Sequence, residues 1–216
     1  MTDERRRLMI VDDHPIVRHG IAQLLAQERD LVCDLHADSA DQALQMLRTH
    51  KVDLVIADIS MPGLSGLDLT RRIQATWPQI PVLVLSMHED AIYAERAVAA
   101  GARGYLNKQG ATERLVDAVR RLLHGGVYFA PAIEQRMLSG LRGQPVAAPP
   151  SALAGLTERE FEVLQMLAQG LSSAEMGERI NRSVKSIETY RASLRLKLGA
   201  KTVADLTRLA IEYCSR

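Results

Sequence analysis

Short apolar runs alternate with longer amphipathic segments along the first half of the chain. The apolar runs are continuous, as in parallel strands that helices cover on both faces. Five strands alternating with five helices predict an α/β domain with a doubly wound, five-stranded parallel sheet over residues 1–126. The predicted strands are residues 8–11, 31–35, 53–57, 81–86 and 103–106, and the predicted helices are residues 15–27, 39–49, 65–75, 90–100 and 111–124.

The pattern changes after residue 126. Residues 127–152 are rich in Pro, Ala and Gly and predict a linker, in which residues 130–142 could form a short helix. Residues 153–216 show no strand pattern and predict a small all-α domain. Its predicted helices are residues 157–169, 173–180, 184–198 and 203–214. Because only "NRS" separates the second of these helices from the third, the segment has the form of a helix-turn-helix.

Acidic residues follow two of the predicted strands. Asp12 and Asp13 come after the first strand, and Asp58 comes after the third. Ligands of doubly wound sheets gather at the carboxyl ends of the strands, so we expect these carboxylates to meet. An all-oxygen cluster of this kind suits Mg²⁺. Ser86 and Lys108 lie at two further strand ends, and the whole set predicts a site for phosphoryl transfer in which Asp58 is the nucleophile.

Four segments resemble the receiver domain of two-component response regulators, which has a flavodoxin-like fold. They read "MIVDDHPIVRHG", "VIADISMPGLSGLDL", "VLVLSMHED" and "ARGYLNK". The segment "LTEREFEVLQMLAQGLSSAEMGERINRSVKSIETYRASLRLKLGA" is similar to the LuxR-type DNA-binding domain. The two together resemble the NarL/FixJ family over nearly the whole chain outside the linker.

The resemblance implies a role for each receiver residue. Asp58 matches the phosphoacceptor that takes a phosphoryl group from a sensor histidine kinase, and Ser60 matches the residue whose backbone carbonyl joins the Mg²⁺ ligands Asp12, Asp13 and Asp58. Lys108 matches the lysine that contacts the phosphoryl group. Ser86 and Tyr105 match the switch pair, although serine stands where threonine is commoner.

Basic side chains concentrate in the predicted recognition helix, residues 184–198. Residues 182–201 carry six basic side chains and one acidic side chain, whereas the whole chain has a net charge of only +1. Ile187, Leu194, Leu196 and Leu198 are expected to be buried. The expected DNA contacts are Lys185, Glu188, Thr189, Arg191, Ala192, Arg195 and Lys201. By the resemblance, residues 188, 189 and 192 meet base edges. We expect the four cations to bind phosphate, as basic side chains commonly do on DNA.

Two questions on the DNA-binding half stay open at this point. Glu188 could accept a hydrogen bond from a cytosine, or it could pair along the helix with Arg191 or Arg195. The apolar stripe of the last helix could form a dimer interface or close the core of its own domain. A single domain reads few base pairs, so we expect a homodimer on double-stranded DNA.

Composition bears on the cellular location of the protein. The chain has no apolar window long enough to span a membrane and no secretory leader, and its two cysteines are far apart in sequence. These features predict a cytoplasmic protein without a membrane partner.

The prediction is therefore a transcriptional regulator rather than an enzyme, controlled by phosphorylation of Asp58 with Mg²⁺ as cofactor. One alternative is an aspartyl-phosphate phosphatase of the haloacid dehalogenase type, which requires a second aspartate at the position of Ser60. Another alternative is a constitutive DNA-binding regulator whose receiver serves only for oligomerisation.

Overall fold

The computed structural model describes residues 5–87, 91–108, 111–135, 153 and 155–214. The chain divides into two compact units, Met1–Ala147 and Ala148–Arg216. The domain limits expected from the sequence stay predictions, since most of the expected linker lies outside the described residues. Among the helices that are described, none combines the length and the apolar character needed to cross a membrane.

The first unit contains the predicted parallel sheet with helices on both faces. The strand order is β2-β1-β3-β4-β5, so that β1 and β3 are neighbours although β2 lies between them in the chain. The strands are β1 (Arg6–Val11), β2 (Leu31–Ala37), β3 (Leu54–Asp58), β4 (Val82–Ser86) and β5 (Gly104–Asn107), and the helices are α1 (Pro15–Leu25), α2 (Ala40–Leu47), α3 (Gly66–Thr76), α4 (Ala91–Ala99) and α5 (Ala111–Leu123). The α/β prediction is confirmed.

The central strands lie in the core of this unit. Every residue of β3 and of β4 is buried, including Asp58 and Ser86 at their last positions. The core on one face of the sheet joins Leu8, Ile10 and Ile56 to apolar side chains of α1 and α5. Burial on both faces explains why these strands read as continuous apolar runs.

Strand β1 begins two residues before its predicted start. Arg7 donates two hydrogen bonds of 2.8 Å to the carboxylate of Asp34 on β2, and its backbone N–H donates to Asp53 at 2.7 Å. Arg6 lies 3.3 Å from the same Asp53. Two arginines can therefore form the start of a strand, because carboxylates distant in sequence pair with them.

The chain beyond α5 returns to the edge strand β5. Tyr128 forms a parallel bridge with Gly104, and hydrogen bonds join its backbone to Tyr105 and Arg103 at 2.8 and 2.9 Å. Phe129 and Ile133 are buried. Residues 131–135 are helical, and the rest of the expected helix over 130–142 lies outside the described residues.

Helix α3 begins against the backbone of the residue that ends β3. Ser65 caps the helix by accepting a hydrogen bond from the backbone N–H of Asp68. The next residue, Gly66, lies so close to β3 that a Cβ atom built on it would be 2.0 Å from the carbonyl oxygen of Asp58. Glycine at this position lets the helix pack directly behind Asp58.

We expect Gly66→Ala to lower the free energy of unfolding of the first unit by about 1–3 kcal/mol, because the methyl group must displace β3 or α3. Urea unfolding followed by the fluorescence of Trp77, the one tryptophan of the chain, measures this unit alone.

The control is Gly20→Ala on α1. A Cβ atom there would have nothing within 4 Å. Alanine should therefore leave stability unchanged or raise it by up to about 1 kcal/mol, the helix preference of alanine over glycine. Equal stability of the Gly66→Ala variant and the native chain would contradict the prediction.

The described part of the second unit consists of helices and the turns between them. Its helices are α6 (Glu158–Ala168), α7 (Ser173–Arg179), α8 (Val184–Leu198) and α9 (Val203–Cys214), and α8 packs against α6 and α7. The predicted capping box is present, with Thr157 and Glu160 each accepting from the other's backbone. Ser172 and Glu175 form a second capping box at the start of α7.

The prediction that Leu196 is buried is wrong. Ile187 and Leu194 are fully buried, whereas the side chain of Leu196 is 86% exposed. At 3.6 residues per turn, residue 196 lies about 180° around the helix from Ile187. Leu196 therefore shares the outer face of α8 with Lys185, Thr189 and Ala192.

The apolar stripe of α9 is divided between core and surface. Leu206 and Ala210 are fully buried, and α9 packs against α6. Val203 and Ile211 are about half exposed. The first pair closes the core of the domain, which was one of the two interpretations that the sequence left open.

Glu160 joins α6 to the second half of α8. Its carboxylate accepts hydrogen bonds from Lys197 at 2.7 Å, from Ser193 at 2.5 Å and from the backbone of Thr157 at 2.7 Å. The burial of Glu160 acts to raise its pKa, but the bonds from Lys197, Ser193 and Thr157 outweigh burial and lower the pKa below its ordinary value.

We expect Glu160→Gln to destabilise the second unit by about 1–3 kcal/mol at pH 7, because Lys197 and Ser193 lose a charged acceptor. A lowered folded-state pKa gives stability that is present above the unfolded pKa and is lost as pH falls through the folded value. The difference between the native chain and the variant should therefore shrink below about pH 4.

Scanning calorimetry at several pH values measures this difference, with Trp77 fluorescence identifying the transition of the first unit. The matched control is Glu212→Gln, since the Glu212 side chain is half exposed and lies 4.0 Å from Arg208. A Glu160→Gln difference that does not vary with pH would refute the ionic role.

Candidate functional site

The expected acidic cluster forms at the carboxyl end of the sheet. Asp12 and Asp13 directly follow β1, and Asp58 ends the neighbouring strand β3. Oxygen atoms of these three carboxylates and a ring nitrogen of His14 all lie within 4.8 Å of one another. Asp12 and Asp58 are 1% and 3% exposed, which removes them from most of the screening by water.

Lys108 lies between the two buried carboxylates. Its Nζ atom is 2.7 Å from Asp12 Oδ2 and 2.9 Å from Asp58 Oδ1. The lysine follows β5, so a cation from the edge strand reaches acids on two inner strands. The single positive charge offsets part of the repulsion between the carboxylates.

The pKa values of this cluster shift in directions set by burial and by the ion pairs. Burial raises the pKa of Asp58, and Asp12 adds to this effect, while Lys108 and the backbone of Ser60 oppose it without cancelling it. Burial lowers the pKa of Lys108, but bonds to Asp12 and Asp58 outweigh burial, so that its pKa is raised. The lysine is therefore held in its charged form.

The donor set fits a hard divalent cation. Carboxylate oxygens of Asp12, Asp13 and Asp58 converge, and Asp13 Oδ1 is buried without a hydrogen bond among the described residues. This oxygen lies 2.9 Å from His14 Nδ1, but not in hydrogen-bond geometry. A buried carboxylate oxygen in that situation is a ready ligand for an ion such as Mg²⁺.

The two expected switch residues lie on neighbouring strands. Ser86 ends β4 with 1% exposure, and its register partner on β5 is Asn107. Tyr105 lies on β5 beside Val84 and is 9% exposed. The backbone N–H of Tyr105 donates to the backbone carbonyl of Tyr128 at 2.8 Å.

Two residues that support the site were missed by sequence reasoning. Gly66 fixes the approach of α3 to Asp58, and Arg18 of α1 donates a hydrogen bond to the backbone carbonyl of Asp12. The second glycine of "PGLSGLDL", Gly66, was a visible signal. It stands at the predicted start of a helix, where a glycine usually has a packing reason. Arg18 left no signal of this kind.

The outer face of α8 carries three of the seven expected DNA contacts. Lys185, Thr189 and Ala192 are exposed along one line of the helix. The hydroxyl of Thr189 donates to the carbonyl of Lys185 at 3.0 Å, which leaves its methyl group as the free part of the side chain. At the end of the helix, Arg195 donates to the backbone carbonyl of Lys201 at 2.7 Å.

Glu188 and Arg191 lie together at the side of this face. Arg191 Nη1 is 3.2 Å from Glu188 Oε1, so Glu188 pairs along the helix with Arg191. Arg195 instead donates to the backbone carbonyl of Lys201. Ser173 on α7 donates to the same oxygen at 2.5 Å. Among the four cations expected to bind phosphate, Arg191 is thus placed against a carboxylate.

Two family models match the chain in the places where the two units lie. Residues 8–120 match the response regulator receiver domain. Residues 154–210 match the bacterial regulatory proteins of the luxR family.

Similar proteins match over nearly the full chain. The response regulator UvrY of Escherichia coli strain K12 is 33% identical over 207 residues, covering 95% of this chain and 94% of UvrY. The structure of RcsB from Salmonella enterica serovar Typhimurium bound to promoter rprA in the presence of the phosphomimetic BeF₃⁻ is 25% identical, with a TM-score of 0.57, and covers 99% of this chain and all of RcsB.

A further RcsB structure contains two dimers bound to two parallel DNAs. It is 26% identical, with a TM-score of 0.58, and covers 98% of each chain. The same class of protein, a response regulator, is indicated by the two family models, by the full-length relative and by the receiver sheet. The chain therefore belongs to the NarL/FixJ family of two-component response regulators, with a receiver domain followed by a LuxR-type DNA-binding domain.

Proposed function

We propose that phosphorylation of Asp58 by a sensor histidine kinase controls DNA binding by this protein. The observation that carries the proposal is the placement of Asp58 at the carboxyl end of β3, with a buried carboxylate, two further aspartates and Lys108 around it. The RcsB structure supports it, since that relative is bound to a promoter in the presence of the phosphomimetic BeF₃⁻.

In the proposed reaction, a carboxylate oxygen of Asp58 forms a bond to phosphorus as the bond from phosphorus to the histidine nitrogen of the kinase breaks. Asp12 and Asp13, with Asp58 and the backbone carbonyl of Ser60, would hold Mg²⁺. When bound, that ion neutralises charge on the phosphoryl oxygens. Lys108 then has a phosphoryl oxygen in reach in place of the Asp58 carboxylate it pairs with at 2.9 Å.

The phosphoryl group acts on the switch pair through new hydrogen-bond acceptors. We infer that Ser86 donates to a phosphoryl oxygen and that Tyr105, on the neighbouring strand, follows this movement. A ligand or modification shifts a conformational equilibrium only through contacts that differ between the two states. The contact between Ser86 and the phosphoryl group is such a contact, because it cannot exist before the transfer.

The DNA-binding domain acts on double-stranded DNA through the exposed face of α8. Helix α7 and helix α8 form the helix-turn-helix, and the second helix of this motif enters the major groove. We propose that two copies bind two half-sites, as the dimers in the RcsB structure support. Because the proposed target is chromosomal DNA, we place the protein in the cytoplasm and expect a regulator rather than an enzyme with its own substrate.

We expect Asp58→Ala to abolish labelling by acetyl phosphate with Mg²⁺, because the variant lacks the proposed nucleophilic carboxylate. Intact-mass spectrometry measures the label. The native chain should also bind its selected operator more tightly after treatment with acetyl phosphate, whereas the variant should not respond.

The matched control is Asp34→Asn, which removes a carboxylate from β2 that pairs with Arg7 away from the cluster. This variant should be labelled like the native chain. Full labelling of Asp58→Ala would exclude Asp58 as the phosphoacceptor. Equal operator affinity of the native chain with and without acetyl phosphate would favour the constitutive regulator.

We expect Lys108→Met to bind Mg²⁺ more tightly, by roughly tenfold or more, because a unit charge about 4 Å from a carboxylate is worth up to about 4 kcal/mol at an effective dielectric constant near 20. The methionine is unbranched and only one atom shorter than lysine, and it removes the internal cation that competes with the metal.

The increase in melting temperature with Mg²⁺ concentration measures this affinity. Without Mg²⁺, the variant should melt below the native chain, since Asp12 and Asp58 lose their shared counter-ion. Lys51→Met, at an exposed position before β3, should leave the Mg²⁺ response unchanged. Weaker Mg²⁺ binding in Lys108→Met would show that the lysine supports the metal site rather than competing with it.

A further inference from the structure

Three side chains connect the two helices of the helix-turn-helix. Ser173 is the first residue of α7, while Glu188 and Arg191 lie one turn apart on α8. Ser173 donates to Glu188 Oε1 at 2.5 Å, and Arg191 Nη1 donates to the hydroxyl of Ser173 at 2.6 Å and to Glu188 Oε1 at 3.2 Å. These three residues are called the Glu188 network below.

The Glu188 network uses only one of the two carboxylate oxygens. The hydrogen bonds from Ser173 and from Arg191 to Glu188 both end on Oε1. Oε2 accepts none within the part of the chain that the structure describes. The side chain of Glu188 is 56% exposed, whereas that of Arg191 is only 19% exposed. One oxygen is thus tied to the protein, and the other is available to a partner in solution.

We propose that Ser173 and Arg191 are positioning residues that hold Glu188 so that its Oε2 accepts a hydrogen bond from the amino group of a cytosine in the major groove. This inference rests on the proposed function, since it assigns base specificity to the same DNA-binding domain. Among the bases, cytosine presents an exocyclic amino donor in the major groove without an adjacent acceptor, and glutamate is a known partner of that donor.

Charge explains why the arginine is needed. A carboxylate close to two phosphate backbones is repelled by them, and this repulsion would move a freely rotating glutamate away from the groove. The guanidinium of Arg191 offsets that charge at 3.2 Å. Arg191 then acts on base recognition through Glu188, in contrast to the phosphate contact that the sequence favoured.

The hydroxyl of Ser173 is not required for the helix that carries it. Ser172 is the N-cap of α7, and the capping box is formed by Ser172 and Glu175. Ser173 lies at the first helical position, where alanine is well tolerated. Replacing Ser173 therefore removes a bond to Glu188 while leaving the cap intact.

The experiment begins with selection from random duplex DNA, using the full chain with acetyl phosphate and Mg²⁺. The selection is repeated with Glu188→Ala to find the position at which base preference changes. Binding is then measured on four duplexes that differ only at that position.

We expect the native chain to prefer cytosine there and Glu188→Ala to lose the preference. Ser173→Ala should bind the same operator with a cytosine preference lower by about three- to tenfold, the effect of one hydrogen bond. Ser173→Thr keeps a hydroxyl and should retain the preference. The matched control is Ser186→Ala, whose hydroxyl contacts Ser183 outside the Glu188 network and whose loss should leave the cytosine preference unchanged.

Two outcomes overturn the inference while the proposed function stands. In the first, Ser173→Ala lowers affinity equally for all four duplexes, so that the network only braces α7 against α8. In the second, Glu188→Ala changes no base preference at any position. A native chain that enriches no sequence at all would instead overturn the proposed function, and the inference with it.

Discussion

The repulsion between carboxylates at the carboxyl end of the sheet is the constraint on which the site depends. Asp12 and Asp58 are almost fully buried, and like charges in such a place must be protonated, paired or bound to a cation. In this structure Lys108 pairs with both. The lysine, a divalent cation and a phosphoryl group would all act on the same small set of oxygens, so a change in one alters the environment of the others.

Much of the receiver fold could be predicted from local pattern because its inner strands are buried on both faces. The predicted bounds of β3 and β4 are right to within one residue, since burial on both faces gives each strand an apolar run, which ends at Asp58 in β3 and at Ser86 in β4. The start of β1 could not be predicted, because Arg6 and Arg7 belong to a strand only through pairing with Asp34 and Asp53. Contacts between residues far apart in sequence leave no periodic signal.

The DNA-binding domain shows the same division between local and distant information. The start and end of α8 agree with the prediction. The capping box of α6 could be predicted from Thr157 and Glu160, which are three residues apart in the sequence. Leu196 was assigned to the wrong face because apolar character was given more weight than helical geometry. The bond from Ser173 to Glu188 could not be predicted, since it depends on how α7 lies against α8.

The bridge between Tyr128 and β5 has a practical consequence for dividing the protein. A strand at the edge of a sheet presents unpaired backbone groups that can recruit a strand from another molecule. Tyr128 occupies those groups at Arg103 and Tyr105, and Phe129 and Ile133 add buried apolar surface. A receiver fragment that stops at Gly126 would expose this edge and could then self-associate through it. The oligomeric state of such a fragment would reflect the truncation and would not represent the full chain. A fragment extending through residue 135 keeps the edge covered.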